Sequence, residues 1–204
     1  MGASDPPPAQ PPLAEEDGYR AEIYALLGRL LIGPPSAELL QSLKRLEGGE
    51  GAFGEALAAL AKAAGKTTGD ILKREYNDLF IGLSKGELQP YASFYRAGGL
   101  YRRPLADLRA DLARLGIARA ESTKEPEDHI AVLCESMAAL ILGIRGVPAQ
   151  LEEQRLFFES HVSCWAGAFF ADLEQAGSAR FYRTVGRLGQ VFLEIEQEAF
   201  SLGD

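Results

Sequence analysis

Apolar residues recur along most of this 204-residue chain at intervals of three and four, the spacing of one face of an α-helix. Ile23, Leu26, Leu27, Leu30 and Leu31 make the first stripe, entered near Asp17 as a cap and stopped by Gly33-Pro34-Pro35. Ser36 caps a second helix reaching about Leu46, and Gly48-Gly49 separates it from a stripe of Phe53, Leu57 and Leu60. Thr67-Thr68-Gly69-Asp70 opens a fourth helix that carries Leu72, Tyr76, Leu79 and Phe80 and ends at Gly82. Residues 83–104 break the pattern with Gly86, Pro90, Gly98, Gly99 and Pro104 set among Tyr91, Phe94, Tyr95 and Tyr101. A connection that long and that aromatic packs on the helices and carries a task. Periodicity resumes in Leu105, Leu108, Leu112 and Leu115, ending at Gly116. A helix starting at Glu125-Pro126-Glu127-Asp128 runs to about Gly143, with Pro and acids in its first turn where the macrodipole favours them. Two more follow, over about 149–175 and 179–202. The pattern predicts one compact all-α bundle of about eight helices with one long aromatic, Pro- and Gly-containing loop.

Composition supports that class: 30 Ala and 29 Leu stand against 5 Val, 9 Ile and 4 Thr, too few β-branched residues for a large sheet. Residues 1–17 hold five prolines between positions 6 and 12 and no basic residue, which predicts a disordered acidic tail ahead of a helical domain over 18–204. The net charge of −8 argues against a nucleic-acid partner. Asp5, Glu15, Glu16 and Asp17 place about half of that charge in the tail, so the acidity of the folded part is modest. The longest apolar run, 130–144, is too short and, with Glu135 inside it, too polar to span a bilayer. The N-terminus lacks the basic and apolar regions of a secretory signal, so a cytoplasmic location is expected, with Cys134 and Cys164 as buried thiols.

Candidate chemistry is sparse. His129, Cys134, His161 and Cys164 fit no closed zinc spacing, so no metal is expected. There is no Walker A run, no strand-linked Gly-x-Gly-x-x-Gly and no Gly-x-Ser-x-Gly, so neither a cofactor nor a catalytic residue is assigned. Asp128-His129 reads either as a capping acid beside a packed histidine or as part of a site. What favours the site is its company: Tyr76-x-x-Leu79-Phe80-Ile81-Gly82, then Pro90-Tyr91-x-Ser93-x-Tyr95, then Glu125-Pro126-Glu127-Asp128-His129 followed by Leu133, Glu135 and Met137. His161-x-x-x-Trp165 comes later.

In order and spacing these blocks resemble the TorD/DmsD/NarJ group of redox-enzyme maturation chaperones, from about residue 19 to the C-terminus. The resemblance implies an all-helical cytoplasmic protein that assists assembly of a molybdenum-cofactor oxidoreductase. It also implies binding of the client's twin-arginine signal peptide until the cofactor is inserted. Carried over residue by residue, it implies a peptide site at Tyr76, Leu79, Phe80, Pro90, Tyr91, Tyr95, Asp128 and His129. Tyrosines at 76, 91 and 95 depart from relatives that carry tryptophan there.

The chemistry agrees with that site. Two guanidinium groups beside an apolar segment call for carboxylates and aromatic surface. Glu125, Glu127 and Asp128 are candidate acids, Leu79, Phe80 and Tyr91 a candidate groove, and His129 a group that could tune the site near neutral pH. Each aromatic reads equally well as core. Two other readings stand beside this one: a guanine-nucleotide-binding or hydrolysing protein, and a plain helical scaffold or oligomerisation domain.

Overall fold

The structure is a computed structural model that describes residues 14–83, 85–100, 103–118, 124–143 and 147–202. Of the expected tail over residues 1–17, positions 1–13 lie outside these, and Glu15, Glu16 and Asp17 instead form the first turn of a helix. The elements are α1 (Glu15–Leu31), α2 (Ala37–Leu43), α3 (Gly51–Gly65), α4 (Gly69–Tyr76), α5 (Ala92–Ala97), α6 (Arg103–Arg114), α7 (Ile130–Leu142), α8 (Leu151–Phe157), α9 (Cys164–Gln175) and α10 (Phe181–Leu202). Two π-helical stretches join them: Asn77–Ile81 extends α4, and Phe158–Ser163 fuses α8 to α9 into one rod over the expected 149–175 segment. Among the described residues extended pairing is confined to isolated bridges, so the fold class is all-α as expected.

The caps explain several boundaries and correct others. Ser36 Oγ accepts from the Leu39 N–H at 3.2 Å, but α2 stops at Leu43, short of the expected Leu46. Thr68 caps α4 through the Ile71 N–H. The first helix starts at Glu15, with Ala14 as a cap that makes no side-chain bond. Asp17 is therefore not a cap; it lies in the first turn and pairs with Arg20 at 2.7 Å. The long irregular segment is also shorter than the pattern suggested, because residues 92–97 wind into α5 and end at Gly98 in the left-handed conformation. Cys134 is buried as expected; Cys164 is exposed, a correction, because its position on α9 faces away from the helices that cover Trp165 and Phe169.

α7 is apolar nearly all round and sits in the middle, burying Ile130, Ala131, Leu133, Cys134, Met137, Leu140 and Ile141. α1 lies along it at a close approach set by Gly28, where a Cβ would stand 3.2 Å from the Ala131 carbonyl oxygen. α10 packs against α9 and α3. Gly186 makes that approach possible: a Cβ there would lie 2.6 Å from the Glu174 backbone nitrogen.

Candidate functional site

Three stretches meet here, two of them consecutive in sequence and the third, residues 125–130, much later in the chain. The first is the C-terminal turn of α4 with its π extension. Tyr76 is buried, its hydroxyl donates to the Leu31 carbonyl at 3.1 Å, and its ring packs on Phe80 and Tyr182. Leu79 is fully buried, while Phe80 is half-buried and meets Tyr182 edge-on. The π turn closes with the Gly82 N–H on the Asn77 carbonyl at 2.7 Å. Gly82 has a φ of 62°, and a Cβ would overlap the Lys85 carbonyl, so the tight turn requires glycine.

The second stretch returns along the first. The Glu87 and Leu88 N–H groups donate to the Asp78 and Leu79 carbonyls at 3.2 and 2.8 Å, and the chain then reaches a buried Pro90. There it pairs with the third stretch. The Ala92 N–H donates to the Asp128 carbonyl and the Ile130 N–H to the Pro90 carbonyl, both at 2.9 Å, forming an antiparallel bridge between Tyr91 and His129.

This pairing decides where the acids point. The helix after them starts at Ile130, not within 125–128 as the pattern suggested, because the backbone is still engaged with Pro90 and Ala92 up to that residue. His129 is its cap, with Nδ1 accepting from the Ala131 N–H at 3.1 Å. The imidazole is buried and therefore neutral. Desolvation lowers its pKa to about 3, which corrects the expectation that it titrates near neutral pH. Asp128 is 1% exposed, and its Oδ2 accepts from the Ser93 N–H at 2.9 Å. Glu127 accepts from Arg109 of α6, through Nη2 at 2.8 Å and Nε at 3.0 Å. Glu125 is half-buried and accepts the Tyr91 hydroxyl at 2.7 Å. It also lies near the first stretch: burial and then the Glu125 charge push the Tyr76 phenol up to about 12.

The nine expected residues thus divide by exposure. Tyr76, Leu79, Pro90, Asp128 and His129 are buried supports, while Phe80, Tyr91, Tyr95 and Glu125 reach the surface. Tyr95 stands apart from Glu125, donating to Asp172 at 2.8 Å and packing on Trp165 and Phe169. Residues that the pattern did not single out hold the frame. Glu87 accepts from the Gly177 and Ser178 N–H groups, and buried Glu75 from those of Arg180 and Tyr182, so two carboxylates anchor the α9–α10 turn to the candidate site. The Gly82–Gly86 turn flags Glu87 in the sequence; nothing local flags Glu75. His161 bonds Asp111 of α6 at 2.8 Å through Nε2, and its carbonyl accepts from the Trp165 indole at 2.8 Å, which is why those residues stand four apart.

Among the described residues no group of three or more His, Cys, Asp or Glu could hold a metal ion, and no helix is long and apolar enough to cross a membrane. A concave space of about 430 Å³ between Arg114, Leu140, Pro148 and Glu153 touches none of the nine residues.

Comparison with known proteins adds an independent line. The model of the nitrate reductase delta subunit family matches residues 47–171, which include all nine residues. The chaperone protein TorD of Vibrio cholerae serotype O1 (El Tor Inaba N16961) is 27% identical over 130 residues, 60% of this chain. TorD of Vibrio atlanticus is 28% identical over 137 residues, 62% of this chain. The chain spans 59% and 63% of the length of these two relatives. A crystal structure described as that of a redox enzyme maturation protein from Archaeoglobus fulgidus aligns over 94% of this chain and 99% of its own, with a TM-score of 0.56 and 18% identity, a likeness of fold.

Proposed function

The chain belongs to the nitrate reductase delta subunit family, the TorD/DmsD/NarJ group that its motifs resemble, and from that premise we infer that it is a maturation chaperone for a redox enzyme. Its client is the catalytic subunit of a molybdenum-cofactor oxidoreductase. The segment it recognises is that subunit's twin-arginine signal peptide, held in the cytoplasm until the cofactor is inserted. No bond is broken, and the reading assigns no catalytic residue.

One observation carries it: Glu125 sits half-buried with the Tyr91 hydroxyl as its hydrogen-bond donor, and half-buried Phe80 packs on Tyr76, whose phenol lies within reach of the Glu125 charge. A carboxylate edged by aromatic faces is the chemistry that a guanidinium beside an apolar segment requires. The carboxylate takes the forked N–H groups, and the rings stack on the guanidinium plane and on the apolar residues after it. Asp128 contributes differently from its sequence reading. Its carboxylate holds α5 against the acidic turn and so orients Tyr91.

Calorimetric titration with a synthetic twin-arginine peptide tests this. Wild type binds, and Glu125→Gln, which keeps shape and loses charge, weakens binding by about tenfold or more, the scale of one charge-assisted hydrogen bond. A Lys-Lys peptide binds more weakly than the Arg-Arg one. Equal affinity of wild type and E125Q for the Arg-Arg peptide would overturn the assignment.

A further inference from the structure

We propose that residues 1–13 of this chain are its own internal ligand, a proline-rich strap that lies in the groove between the start of α1 and the start of α8. The proposal is independent of the peptide-receptor reading, because none of the nine residues lines this groove.

The groove is a concave space of about 390 Å³ lined by Asp17 of α1 and by Val147, Pro148, Gln150, Leu151 and Gln154. One buried side chain fixes its two walls. Gln154 Oε1 accepts from Arg20 Nη1 at 3.2 Å, and its Nε2 donates to the Ala149 carbonyl at 3.0 Å. That carboxamide therefore ties α8 both to α1 and to the segment that precedes α8. The apolar part of the groove faces water: Val147 is 58% exposed and Leu151 54%. Exposed Val and Leu beside Pro148 give proline rings a surface to lie on, and the Gln150 carboxamide has N–H groups to donate to backbone carbonyls. An extended, proline-rich segment offers both, since its carbonyls bond to nothing within the segment.

The occupant follows from where residues 1–13 join the fold. They end at Ala14, whose carbonyl accepts from the Gly18 N–H at 3.1 Å, so the junction lies one helical turn from Asp17 in the groove wall. The residues that enter there are Pro11, Pro12 and Leu13, preceded by Pro6-Pro7-Pro8. In polyproline II geometry positions 6–13 span about 25 Å. Prolines also leave less chain entropy to lose on docking. The segment has no basic residue and one acid, Asp5, so the contact is apolar and insensitive to salt. The tether holds the strap at an effective concentration on the order of millimolar, which favours it over a second copy at micromolar concentration. At about 2 mM, a contact with an intrinsic Kd of about 1 mM is filled two-thirds of the time and slows exchange of the amides beneath it about threefold.

Nuclear magnetic resonance on the full chain tests this directly. Nuclear Overhauser contacts are expected from Pro11, Pro12 and Leu13 to the methyl groups of Val147 and Leu151 within one copy. Hydrogen exchange of amides 150–154 is expected to run about threefold faster in the full-length Pro11→Gly/Pro12→Gly/Leu13→Gly variant, and equally so in Leu151→Gln, at low and at high salt. A synthetic peptide of residues 1–13 at millimolar concentration should restore slow exchange to the triple variant and leave wild type unchanged. These substitutions lie ahead of the first helix or at an exposed position, so the fold survives them. Absence of the contacts, or exchange equal in wild type and both variants, would overturn the proposal. Contacts seen only between differently labelled copies would overturn it in favour of a second chain as the occupant.

Discussion

His129 shows how one side chain can serve the candidate site without touching a ligand. Its Nδ1 caps α7, its ring supports Tyr91 edge-on at 5.1 Å, and its backbone forms the bridge that holds residues 90–92. Burial lowers its pKa from the ordinary 6.5 to about 3. Between those values the unfolded chain binds a proton that the folded chain does not, so stability falls as pH falls through that window. The slope is about 1.4 kcal/mol per pH unit once the pH is well below 6.5. His129→Asn keeps an oxygen to accept the Ala131 N–H and removes the titration. Urea denaturation between pH 6.5 and 5 should therefore show a flatter loss of stability in H129N than in wild type, by about 1 kcal/mol per pH unit; parallel slopes would contradict this account. The sequence marks Asp128-His129 as unusual, but an acid and a histidine beside a helix look the same on paper whether they face a ligand or the core. Here the pairing with Pro90 and Ala92 turns both inward.

At the scale of elements, most helices were legible because each carries its own apolar stripe and its own stop signal. The misreadings fall where a partner overrides the local signal. α7 begins late because residues 128–130 are bonded to another stretch, and α5 forms in a segment rich in Gly and Pro because Asp128 accepts from its second residue. Helix contact is decided by particular glycines. At Gly186 an added Cβ would press on the α9 backbone at Glu174 and Phe170, which cannot swing aside; at Gly167 a Cβ meets nothing within 4 Å. Gly186→Ala should destabilise by about 1–3 kcal/mol despite the better helix propensity of alanine. Gly167→Ala should be neutral or stabilising by up to about 1 kcal/mol. Thermal melts of the two variants check this, and equal shifts would show that propensity and not helix approach governs both sites.

At the scale of the whole molecule, the two ends of the described chain are locked together by ions. Arg20 of α1 donates to Glu196 of α10 through Nε at 2.7 Å and Nη2 at 3.0 Å, reaches Gln154 of α8 at 3.2 Å, and is joined on Glu196 by the Tyr24 hydroxyl at 3.0 Å. Glu196 is 1% exposed. Arg20→Ala leaves that carboxylate buried and without its cation, and should cost about 3–5 kcal/mol in urea denaturation. Arg20→Met with Glu196→Leu should recover most of it, because the apolar pair leaves no uncompensated charge. Failure of the double variant to recover would assign the loss to packing of the arginine stem. By itself the sequence determined the all-α class, most of the helices and the residue types that meet at the candidate site, since periodicity, caps and charge are local properties of the chain. Only the tertiary structure decided which acids are supports and which face the surface, that Arg109 sits on Glu127, and that Arg20 meets a partner 176 residues away. Burial and ion pairing depend on which elements come together, and no local pattern in the chain encodes that.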